Sequence, residues 1–249
     1  MHLGNIEPLL SALLYSAIFY FGSRIPMPRE GERFYRRVIS LSAGVGVAYV
    51  FLGLLPELNV AREILLESAE PHTMLFEQYR VYLGALSGFI AFYGVHHLLA
   101  LTSKGTIDEG VWRAGNWPFL LYVSVFFLYV GLVTYFKVNS LEEVRGSRDF
   151  YTIAMGFHLF LIDYSLRREY GELYLKRVKN VLAAAPLLGW MVGMYVIFPV
   201  TVVIPLAGVI AGGIIMNTML MEMPRDTQSR FPYFLMGVVL FSAVILAFH

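Results

Sequence analysis

Among the histidines and carboxylates of this sequence, one stands near the middle of an apolar run. It is His158, in Phe150 to Leu166 (FYTIAMGFHLFLIDYSL), with Asp163 toward the end of the same run. Every other apolar run lacks Asp, Glu, Lys and Arg through its core. Ionisable groups at membrane depth are expensive, and they face a bundle interior or a water-filled path. On a helix, Tyr151 and Ser165 lie seven residues to either side of His158, on nearly the same face. Such a stripe suits hydrogen bonding more than a dication. His158 is thus either a buried, hydrogen-bonded histidine or a contact to a substrate or proton, and it is the one candidate metal ligand. Asp163 is five residues on and about 140° round the helix, too far round to share an ion with His158. Beside Arg167 and Arg168 it reads as an interfacial ion pair, or as a second polar group on a substrate path.

Other polar side chains belong to the same question. Asn217 is mid-span, where an amide seeks an interhelical partner or a substrate. Tyr122 and Tyr129 form one i, i+7 row and Ser124 heads another. These rows either line a narrow passage or pack against the next helix. Glu57 closes an apolar run after Pro56. His96 and His97 are adjacent, so they point in different directions and do not share a metal.

The elements that must position these groups are transmembrane helices. The chain is 57% hydrophobic and 15% charged with a mean hydropathy of +0.63, against about 25% charged residues in a soluble domain. A net charge of +1 offers no surface for nucleic acid. The absence of cysteine excludes disulfides, thiolate metal sites and cysteine nucleophiles. Runs free of Asp, Glu, Lys and Arg fall at Pro8–Ser23, Val38–Pro56, Val81–Ser103, Ala114–Phe136, Phe150–Ile162, Asn180–Met221 and Phe231–Phe248. Asn180–Met221 is twice the length of about 20 residues that a single crossing needs, and Phe198-Pro199 with Pro205 marks its turn. The prediction is an all-α polytopic protein of eight transmembrane helices, residues 1–249 forming one transmembrane domain. The first run has no positive segment before it and reads as a retained helix.

Loop charge sets the orientation. Fourteen of the nineteen Lys and Arg fall in the odd-numbered loops, which are therefore cytoplasmic, with both termini outside. The acidic stretch Glu57–Arg80 is then an external loop. Ala43-Gly44 precedes Pro56, and Ala211-Gly212 precedes Pro224, at the same spacing in helices of opposite direction. That pattern predicts an inverted repeat of spans one to three and six to eight. Gly44-x-x-x-Ala48, Gly84-x-x-x-Gly88, Gly189-x-x-x-Gly193 and Gly208-x-x-x-Gly212 present small faces for close helix approach. The sequence admits a homodimer, and beyond the bilayer it names no partner.

Eight spans, external termini and an inverted repeat resemble the ZIP (Zrt/Irt-like protein) family of divalent-metal transporters. SAGVGVAYVFLGLLPEL (Ser42–Leu58) is similar to the family's second helix, LSGFIAFYGVHHLLAL (Leu86–Leu101) to its third and AGVIAGGIIMNTMLMEMPRD (Ala207–Asp226) to its seventh. The resemblance implies a ZIP-like bundle, with Zn²⁺ or Fe²⁺ as transported cargo. It also implies His-Asn/Ser-x-x-Asp/Glu-Gly on the fourth helix and His-Glu-x-x-Glu on the fifth. Aligned on Gly131, Phe126 and Val130 replace the histidine and the acid; His158 matches, but Leu159 and Ile162 replace both glutamates. The usual binuclear site is therefore not expected.

Two function classes remain. One is a divergent transporter, with Ser124, Tyr129, Tyr151, Asn217, Asp163 and Glu57 on its path beside His158. The other is a non-transporting regulator or scaffold whose path is filled by Phe126, Phe127 and Met155. An enzyme is not expected: a zinc hydrolase needs three protein ligands plus water, and His96, His97, His158 and Asp163 lack the spacing.

Overall fold

The computed structural model describes residues 6–24, 33–67, 74–102, 117–139, 148–219 and 230–248. Among them are helices and no strand. Helix α1 (Ile6–Phe21) ends in a 3₁₀ turn, Gly22–Arg24. Helix α2 (Arg33–Tyr49) runs through a π-turn, Val50–Leu54, into α3 (Leu55–Glu67). Then come α4 (Met74–Thr102), α5 (Trp117–Asn139) and α6 (Arg148–Leu173). A second π-turn, Tyr174–Val178, leads into α7 (Lys179–Tyr195), followed by α8 (Val200–Asn217) and α9 (Phe231–Phe248). Five stretches, Ile6–Arg24, Arg36–Glu67, Phe76–Leu98, Phe119–Asn139 and Val200–Asn217, are long and apolar enough to cross a bilayer. Phe231–Ala247 is apolar but shorter. Lipid cannot satisfy exposed backbone groups, and helices satisfy their own; the chain is an all-helical integral membrane protein.

The expected turn near Phe198-Pro199 is present. Val196 is extended at φ −122°, and the Pro199 carbonyl accepts from the Val202 and Val203 N–H groups at 2.8 and 3.0 Å to start α8.

Two expected loops are helical instead. Pro56 does not end the second run: Leu55 N–H donates to Val50 O across the π-turn, and the wider turn takes up the misfit that a proline brings to an α-helix. Glu57 and Glu63 therefore sit on α3 and not in an external loop. The fifth and sixth runs are joined by a break at one residue. Gly171 adopts φ 47°, ψ −121°, a conformation that only glycine enters cheaply, and the chain turns there. Arg167 and Arg168 are thus on α6, and Lys176, Arg177 and Lys179 open the next helix. The stretches holding Arg29, Glu70, Lys104, Arg113, Arg145, Glu222, Pro224 and Asp226 lie outside the described residues.

The helices pack in two groups. In the first, α7 lies against both α5 and α1, and α1 also against α6. In the second, α4 lies against α8, α2 against α9, and α3 against α4 and α8. The predicted small faces make these seams. A Cβ on Gly212 would run into the Ala85 carbonyl, one on Gly208 into Val81, one on Gly84 into Pro205 and one on Gly88 into Val209. Gly44 and Gly237 do the same between α2 and α9, and Gly189 meets the Gly131 backbone between α7 and α5. Backbones in such contact gain dispersion energy where lipid gives no hydrophobic drive. Polar ties add to the first group. Ser16 Oγ donates to Ala183 O at 2.7 Å, beside the turn that Pro186 weakens, and Lys137 Nζ on α5 meets Glu7 Oε1 on α1 at 2.7 Å.

Candidate functional site

His158 lies on α6 at 6% exposure, one turn after buried Met155. Its Nε2 is 2.8 Å from Tyr129 Oη on α5, itself 3% exposed. The bond runs in either direction with the histidine tautomer. Beside the pair is a cavity of about 20 Å³ lined by Val45, Gly46 and Tyr49 of α2, Phe157, His158 and Leu161 of α6, Thr218 just beyond α8, and Phe241 of α9. The cavity lies where the two helix groups face each other. Thr218 Oγ1 is buried without a hydrogen-bond partner among the described residues, and so is Nδ2 of its neighbour Asn217.

Aromatic rings fill the rest of the seam. Phe92 of α4 stands edge-on to Phe126 and Tyr129 of α5, with centroids 5.3 Å apart in each case. Tyr122 continues the stack to Phe126 at 4.9 Å and to Tyr170 of α6 at 5.6 Å. Edge-on contacts place positive ring edges against negative faces. Phe92 and Tyr170 carried no sequence signal, because the contacts that recruit them are between helices far apart in the chain.

The predicted site residues thus divide. His158 and Tyr129 come together, and Asn217 is buried at the end of α8 next to Thr218, which sequence reasoning missed. Ser124 is exposed; five residues from Tyr129, it is about 140° round α5 from that side chain and does not share its row. The side chain of Tyr151 lies outside the described residues. Glu57 is half-buried on α3.

Asp163 belongs to a separate cluster and is fully buried within the protein. Its Oδ1 accepts from Tyr174 Oη across the Gly171 turn, and its Oδ2 is 3.9 Å from Arg167 Nη2. Arg167 Nη1 donates to Gly22 O at the end of α1, at 2.7 Å. Gly22 leaves no room for a Cβ against Asp163. Of the two arginines that follow Asp163 in sequence, Arg167 supplies this ion pair and Arg168 is exposed. The carboxylate thus ties α6 to the π-turn that leads into α7 and, through Arg167, to the turn that ends α1.

Among the described residues the donors for a metal are too few. The four positions that the resemblance assigns to missing ligands, Phe126, Val130, Leu159 and Ile162, are all buried in the apolar core. Among the described residues no three His, Asp or Glu converge, whereas a zinc site takes four donors, three of them from the protein even when it is catalytic. Compared with protein-family models and with curated proteins, the chain matches none.

Proposed function

We propose that the chain is a divergent, ZIP-like membrane transporter of eight spans. Both termini face outside, and the first three spans repeat in inverted form as the last three. The observation that carries this reading is matched packing. Gly212 of α8 meets the backbone of α4, and Gly44 of α2 meets the backbone of α9. With the second and seventh spans equivalent, and the third and eighth, these are one interface occurring twice. Ala43-Gly44 and Ala211-Gly212 hold the same place in each copy.

Two groups with dense internal seams and a thinner aromatic seam between them suit alternating access, one group rocking against the other. The cavity beside His158 lies on that seam, which is where carriers of this architecture hold their cargo. A binuclear metal site finds no support in the donors present.

A second reading is a ZIP-like regulator or scaffold that moves nothing. Burial of Phe126 and Met155 in the path between α5 and α6 favours it.

Labelling separates the two. The chain has no cysteine, so Val45→Cys, on the cavity wall, carries no background. A charged thiol reagent applied outside, and separately inside, reaches the introduced thiol from both sides in a transporter and from neither in a scaffold. Cysteines placed near residues 1 and 249 must react from outside in intact cells, or the assigned topology is wrong.

A further inference from the structure

We propose that the ion handled at the His158 cavity is the proton, passed through His158 and one water molecule held against Thr218. This rests on the transporter reading and specifies its cargo.

Three observations lead there. The cavity measures about 20 Å³, and about 10–15 Å³ is enough for one water. A dication that enters such a space must shed its water for several protein donors, which are lacking among the described residues. A proton needs only one base and one water.

The base has a suitable partner. Neutral His158 accepts at Nε2 from Tyr129 Oη; protonated, it donates from Nε2 to the same oxygen. A hydroxyl serves both forms, so the ring keeps its place with or without the extra proton. A carboxylate in that place would hold the proton instead. Among the described residues, those that line the cavity with His158 or bond it are uncharged, among them Tyr49 from α2, Tyr129 from α5, Thr218 from the end of α8 and Phe241 from α9. Asp163, on the same helix, is turned away and engaged by Tyr174 and Arg167.

The third observation is Thr218 Oγ1. It lines the cavity, is 1% exposed and has no hydrogen-bond partner among the described residues. A buried hydroxyl without a partner is costly, and a water in the cavity meets that need. Thr218 belongs to one helix group and His158 to the other, so this water bridges the moving parts. In the transfer, a hydronium on one side gives its proton to the imidazole: an N–H bond forms, an O–H bond breaks and neutral water remains. After rocking, the imidazolium gives a proton to water on the far side and returns to neutral.

The test uses full-length protein in liposomes loaded with a pH-sensitive dye, under a potassium diffusion potential set by valinomycin. Wild type should acidify the lumen faster than empty liposomes. His158→Gln should fall to the empty-liposome rate. Thr218→Val should slow the flux and Thr218→Ser retain it, which a purely steric role for Thr218 does not predict. Circular dichroism and a monodisperse elution profile establish that each variant is folded. Wild-type flux equal to that of empty liposomes, or flux that survives His158→Gln, overturns the proposal. If the Val45→Cys variant is then still labelled from both sides, the transporter reading stands and only the proton falls; if it is labelled from neither, both fall.

Discussion

Substituting Gly212 by alanine should destabilise the protein more than any other single added methyl group on these seams. An ideal Cβ there would lie 2.7 Å from the Ala85 carbonyl carbon and 2.7 Å from Phe89 N, and nearer still to the Ala85 oxygen. Carbon atoms pack at about 3.5–4.0 Å, so α4 and α8 must separate by roughly 1 Å. The obstructing atoms are backbone and cannot rotate aside. Overpacking costs about 1–3 kcal/mol, and a rigid helix pair puts Gly212→Ala at the upper end. Gly94 is the control: it lies on the same α4, and a Cβ there meets nothing within 4 Å. Gly94→Ala should be neutral or stabilise by up to about 1 kcal/mol through helix propensity. Unfolding in mixed micelles, titrated with sodium dodecyl sulfate and followed by circular dichroism, measures both. If Gly212→Ala unfolds at the same or a higher detergent fraction than Gly94→Ala, the close approach of α4 and α8 is wrong.

Gly171→Ala should cost about 1–3 kcal/mol, because a Cβ at φ 47° is strained even though space around it is open; the same titration reads it. Tyr174→Phe removes the donor to buried Asp163 and should cost about 1.5–3 kcal/mol, the range for hydrogen bonds to charged groups. Stability equal to wild type would show that the Asp163 carboxylate does not depend on that hydroxyl. Isothermal titration with Zn²⁺ should find no micromolar site; one that His158→Ala abolishes would restore metal as the cargo.

Much of the helical frame was legible because its signals are local. Apolar run length, Phe198-Pro199 and glycines four apart each act within a turn or two of helix. The pairing of His158 with Tyr129 was half legible: both residues stood out, but their contact depends on how α5 packs on α6. Thr218 and Phe92 gave no warning, since their importance comes from helices distant in sequence. Glu57 misled for a definable reason. A proline followed by an acid usually closes a helix, and here a π-turn carries the helix past it. Asp163 was legible in part: Arg167 pairs with it one turn along the same helix, whereas Tyr174 reaches it only because the chain breaks at Gly171.

The glycine seams have a mechanical consequence. Backbones locked carbonyl to Cα have a steep, short-ranged contact energy, so α4 with α8 and α2 with α9 behave as stiff struts that slip only by breaking. The ring stack of Phe92 against Phe126 and Tyr129 is soft by comparison, since edge-on rings on two different helices slide past one another while trading one favourable tilt for the next. Strain applied anywhere in the bundle will therefore collect along that stack. Exchanging one aromatic ring for another there should alter the speed of any motion, whereas enlarging a seam glycine should jam or unfold the whole.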